Sequence, residues 1–115
     1  MSLMNEDETA GRPAGVQGEI KHLIAPWTVG SENLWLGILL LQPGGRTNAH
    51  AIPNIDGIHY TISGKGKEII DGKEIPTRAG SCIFIPAGTM HQVVNDGTEP
   101  LKLLSVTNPP IPQPK

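Results

Sequence analysis

Short apolar stretches, separated by glycine, proline and asparagine turns, pattern this chain. Leu34 to Leu41 is almost continuously apolar, Leu-Trp-Leu-Gly-Ile-Leu-Leu-Leu. So short a run, bounded by turn formers, predicts a buried strand rather than a helix. Ile58-His-Tyr-Thr-Ile62 is β-branched and aromatic, hence a strand, and Ser63-Gly-Lys-Gly66 turns it. Lys67–Ile70 and Lys73–Ile75 flank Asp71-Gly72, a hairpin dipeptide suited to positive φ. Cys82–Ile85 and a run opening on His91 flank the Pro86-Ala-Gly88 turn, and Leu101–Val106 is the last strand. Glu19–Trp27 is a weaker strand, with Ile20, His22 and Ile24 on one face; Pro26 puts it at an edge or marks its end. Pro43-Gly44-Gly45 is expected to break the Leu34–Leu41 strand, and Pro53 to bar a central strand at that point. About eight strands with regular turn signals and no convincing helix predict an all-β sandwich or small barrel.

Length and composition narrow this further. The 115 residues suit one domain. Residues 1–17 read as a mobile lead-in, 18–107 as the barrel, and 108–115 as an extended Pro-rich tail whose prolines lack sheet donors. A formal charge of -2 and 3% aromatic residues offer neither a basic face nor a stacking platform for nucleic acid. The longest apolar run is far short of the roughly 18 residues of a membrane span, and no signal peptide opens the chain, so a cytoplasmic domain is expected. The single Cys82 excludes an internal disulfide and reads as a buried, inert thiol.

The candidate chemistry lies in four histidines, His22, His50, His59 and His91. Imidazole is the commonest transition-metal ligand, and three protein ligands with an open position is the usual catalytic plan. A lone strand histidine is more often a surface residue or a satisfied interior one. Alternation puts His59 with Thr61 on one face of a strand, and His91 with Val93 and Asn95 on one face of another. If both faces turn inward, the two imidazoles share a cavity. His22 could also point inward, but nothing around it in the sequence resembles a site. Trp35, Phe84 and the leucines would give the cavity apolar walls.

Gly80, Pro86, Gly88, His91 and Asn95 reproduce, without departure, the second motif of the cupins, G-x5-P-x-G-x2-H-x3-N. Gly44, His50 and Gly64 resemble parts of the first, G-x5-H-x-H-x(3,4)-E-x6-G. The resemblance covers about residues 34–106. It implies an RmlC-like jelly-roll β-barrel, often a homodimer, with a metal held inside by the motif residues. Two motif positions depart: the second histidine falls on Ile52, and the glutamate on Gly57. His59 lies two residues beyond Gly57 on the same face and is the expected replacement. The main expectation is therefore a divalent transition metal (iron, manganese, nickel or zinc) on His50, His59 and His91. Asp56, Thr61 and Asn95 would line the pocket. The metal would serve dioxygenase, isomerase, lyase or cyclase chemistry on a small organic substrate. The alternative is a metal-free or non-catalytic cupin that binds a sugar or organic acid, with His59 and His91 as acid, base or hydrogen-bonding groups. A structural partner protein with a vestigial pocket is the third reading, without positive support.

Overall fold

The computed structural model describes all 115 residues. Nine strands carry the fold: β1 (Arg12–Pro13), β2 (Val16–Ile24), β3 (Trp35–Arg46), β4 (Asp56–Ser63), β5 (Lys65–Ile70), β6 (Lys73–Arg78), β7 (Cys82–Ile85), β8 (His91–Val94) and β9 (Leu101–Asn108). One helical turn, α1 (Pro26–Val29), follows β2, and a 3-10 turn spans Glu6–Glu8. The strands form one antiparallel sheet in the order β6-β5-β8-β3-β9-β4-β7, while β2 also pairs with β3, and β1 with β2. The sheet curls on itself into a jelly-roll barrel, the all-β class that the turn spacing predicts.

The curl depends on β3, where the structure differs from the expected break at Pro43-Gly44-Gly45. The strand runs on to Arg46. Its register against β2 jumps from Gly18↔Leu41 to Val16↔Arg46, so Gln42–Gly45 bulge out of the ladder. Gly44 takes φ 84 there, a left-handed conformation that costs glycine nothing. Arg46 then pairs with Val94 of β8. Such a bulge bends a strand and strengthens its twist, letting one strand serve both walls of the barrel.

The inward side chains of β9 show where the barrel is filled and where it is hollow. Leu101, Leu103, Ser105 and Thr107 alternate inward and are all buried. The leucines pack with Leu39, Leu41 and Val93, and against Ala14 and Ile20, to close one end. Ser105 and Thr107 continue the same face into a region too small and polar to fill itself.

The same alternation corrects two expectations. Phe84 is not a cavity wall: it is 61% exposed, opposite Ile58 on the outer face of the sheet. Cys82 is an exposed thiol opposite Tyr60. Ile85, buried, takes the inward position of β7 instead. The lead-in is also more structured than its composition suggests. Arg12 and Pro13 pair with Ile20 and Glu19. The Glu6 carbonyl accepts from Lys21 Nζ at 2.8 Å, and its carboxylate meets Lys102 Nζ at 2.6 Å.

Candidate ligand-binding site

A chamber of about 590 Å³ opens at the polar end of the barrel. Its walls come from β1–β4, β7–β9, the loop after β3 and the tail, of which Ile111, Pro112 and Pro114 border it. Trp35, Leu39, Ile85, Val93 and Leu103 make much of the surface apolar, and His22, His50, His59 and His91 all reach it. Apolar walls with a few converging polar groups are the ordinary build of a small-molecule site.

Local structure fixes His91. The Pro86–Gly88 turn places it: Thr89 N–H donates to the Pro86 carbonyl, Gly88 adopts φ 81, and its N–H donates to the Ile52 carbonyl. From the other side, Asp71 accepts the Met90 N–H on its carboxylate (3.1 Å) and donates its own N–H to the Met90 carbonyl (2.8 Å). His50 and His91 exchange both backbone hydrogen bonds in an isolated antiparallel bridge, at 3.0 and 2.9 Å. Their rings consequently lie 4.4 Å apart, and that of His59 is 5.8 Å from His91. The three imidazoles of the sequence argument are thus neighbours in one chamber.

Each ring has one nitrogen already engaged. His91 Nδ1–H donates to the Thr89 carbonyl and His50 Nδ1–H to the Asn48 carbonyl, both at 2.9 Å. Burial lowers the His91 pKa, and the nearby His50 and His59 add to that; the Thr89 hydrogen bond and Glu68 oppose it without reversing it. His91 is therefore neutral near pH 7 and presents a bare, accepting Nε2. His59 Nδ1 is bound at 2.8 Å to Oε1 of Glu68, which is 1% exposed.

The metal expectation fails here. No group of three or more His, Cys, Asp or Glu side chains is placed to hold a metal ion. Ile52 and Gly57 supply no donor where the resemblance expects a histidine and a glutamate, and the one buried carboxylate nearby, Glu68, is held by His59 Nδ1. Gly57 does leave open space, with nothing closer to a built Cβ than 3.7 Å, but that space adjoins Thr107 rather than a ligand cluster. The residues do not fit a resident metal, so neither the three-histidine centre nor the metal-dependent enzyme stands.

The three lesser pocket candidates do not border the chamber. The Asp56 carboxylate accepts the Ala87 N–H (2.9 Å) and steadies the turn that carries His91. Thr61 is buried beside the leucine core, opposite Leu103. Asn95, fully buried, donates to the carbonyls of Leu41 and Glu99 and accepts from Gly97 N–H. It locks the β8–β9 turn to β3.

Sequence reasoning missed Glu68, Arg12, Ser105 and Thr107. Glu68 was within reach, because Gly66, Glu68 and Ile70 share one parity of β5. Which parity faces inward was not legible until β5 was paired with β8.

Comparison with known proteins agrees with this architecture. The polyketide synthase CurC of Streptomyces cyaneus is 29% identical over 97 residues, 84% of this chain but 63% of that protein. The chain thus spans less than two thirds of that relative's length. An oxalate-binding protein of Thermotoga maritima is 28% identical over 94 residues, 80% of this chain and 78% of that one. The solved structure of the polyketide cyclase RemF of Streptomyces resistomycificus superposes with a TM-score of 0.80 at 21% identity, covering 94% and 79% of the two chains. At that identity the likeness shows the fold. The family model for the cupin domain matches residues 37–107, from β3 to β9 and through both glycine-bounded motifs. With the jelly-roll curl and the inward His50 and His91, that match places the chain in the cupin family.

Proposed function

We propose that this chain binds a small organic molecule, a sugar or an organic acid, in the barrel chamber without a resident metal. The observation that carries this is the chamber itself: about 590 Å³, largely apolar, with four imidazoles reaching it and a ligand set that does not fit a metal. A volume of that order holds a small-molecule ligand. The apolar wall of Trp35, Leu39 and Leu103 would take the ligand's carbon frame. His91 Nε2 would accept from a ligand hydroxyl, while His50 and His59 would meet its other polar groups. The likeness to an oxalate-binding protein lends weight to the acid half of the class.

The test is calorimetric titration in excess EDTA with oxalate, malonate, benzoate, glucuronate and glucose. At least one is expected to bind saturably with micromolar to low-millimolar affinity. Ile52→Trp, which fills the chamber from its rim, should weaken that binding about tenfold or more while leaving the fold intact. Absence of saturable binding, or binding that appears only after metal is added, refutes the proposal.

A further inference from the structure

Beyond the three motif-region imidazoles, the chamber contains polar groups that the fold leaves unsatisfied. His22 stands opposite Gly37, over which the Trp35 ring lies, 2.5 Å from where a Cβ at residue 37 would be. Trp35 Nε1–H donates to His22 Nδ1 at 3.0 Å. An indole nitrogen only donates, so His22 Nδ1 is bare and the neutral ring carries its proton on Nε2. Burial first, and then the charge of Arg12, lower the His22 pKa and keep the ring neutral. That Nε2–H is buried without a partner, on a residue 7% exposed. The Thr107 hydroxyl is buried and unpartnered in the same way, and it borders the same chamber. Buried polar groups without partners are rare, because each loses its hydration and regains nothing.

Arg12 reaches the same place. It pairs with Ile20, the inward neighbour of His22 on β2, which makes it the diagonal neighbour of His22, within reach of a long side chain. Its side chain borders the chamber and donates one hydrogen bond, at 3.1 Å, to a main-chain oxygen of Lys115, which borders the chamber too. No Asp or Glu side chain borders the chamber. Glu68, the buried carboxylate behind it, is engaged by His59, three strand spacings or roughly 14 Å along the sheet from β2.

We infer that the β1–β2 end of the chamber is a carboxylate subsite, in which Arg12 and His22 Nε2–H hold the acid group of an organic acid. A carboxylate is acceptor-only, so it suits two converging donors, one of them a charged fork. The ligand's carbon frame then lies over Trp35 and Leu39, with the Thr107 hydroxyl available to a further ligand oxygen. This rests on the chamber being a ligand site, and it selects the acid over the sugar.

The experiment pairs acids with their neutral isosteres: benzoate with benzamide, and cyclohexanecarboxylate with its primary amide, titrated into the full chain. The acids are expected to bind about tenfold or more tightly than the amides. Arg12→Gln, on the exposed β1 strand, should erase that preference by weakening the acids far more than the amides, and Arg12→Lys should keep part of it. In 15N-labelled protein the His22 ring signals should move with the acids and not with the amides. Amides that bind as tightly as the acids, or an Arg12→Gln variant that keeps the preference, overturn the subsite and leave the chamber reading standing. Failure of every acid and amide, together with the compounds of the broader titration, overturns both.

Discussion

His59 on β4 reaches Glu68 on β5, and the contact between them is largely removed from solvent. Glu68 is almost fully buried, and its carboxylate meets the His59 ring at 2.8 Å. Removing one member of a buried pair strands the other, whereas replacing both with apolar groups of similar size is often neutral. His59→Ala is therefore expected to cost about 3 kcal/mol, read from urea unfolding midpoints. Adding Glu68→Met in the same background should restore most of the loss. A single variant within about 0.5 kcal/mol of the parent would show that the pair contributes nothing to stability. At this scale the sequence showed the imidazole and its parity but not its partner. Position 68 sits between Lys67 and Ile69 with nothing local to mark it as interior.

Among the elements, the β5–β6 turn does more than reverse the chain. Asp71 and Gly72 have φ 48 and 82, as the dipeptide predicts. The Asp71 side chain also holds Met90 N–H, one residue before His91. Asp71→Ala should cost about 2 kcal/mol, roughly half from the strained backbone and half from the lost hydrogen bond. Asp71→Gly should recover the backbone part alone. Thermal unfolding of the two variants checks the split; equal losses would mean that only the side-chain bond matters. Turn chemistry was readable because it is local. The bulge at Gln42–Gly45 was misread as a strand break, because proline and glycine signal irregularity without saying whether pairing resumes beyond it.

For the whole molecule, the shifted histidines set a pH dependence. His22 and His91 both have folded-state pKa values below the ordinary imidazole value of about 6.5, burial being the leading cause in each. Above pH 6.5 both states are neutral at these sites, and stability is flat with respect to them. Below it, the unfolded chain binds protons that the folded chain refuses, so stability falls as the pH drops. The fall ends only where the folded-state groups themselves titrate. Urea midpoints should therefore decline from pH 7 to pH 5, less steeply in His91→Gln. Midpoints that are constant or rise over that window would contradict the buried neutral state of both rings.

The amino-acid sequence by itself determined most of the strands, the alternation of side chains along each, the turns and the two glycine-bounded motifs. All of these follow from local backbone preference and a period of two. It could not say which inward faces meet. His59 and Glu68 lie on strands that do not pair with each other, and Arg12 and the tail come to the chamber from the two ends of the chain. Those encounters depend on the curl introduced at the β3 bulge, a property of the closed sheet. That is why alternation along the strands could bring His50, His59 and His91 toward one chamber while the metal assigned to them does not stand. Three imidazoles can share a cavity, yet the partner each one takes is decided by the opposite wall.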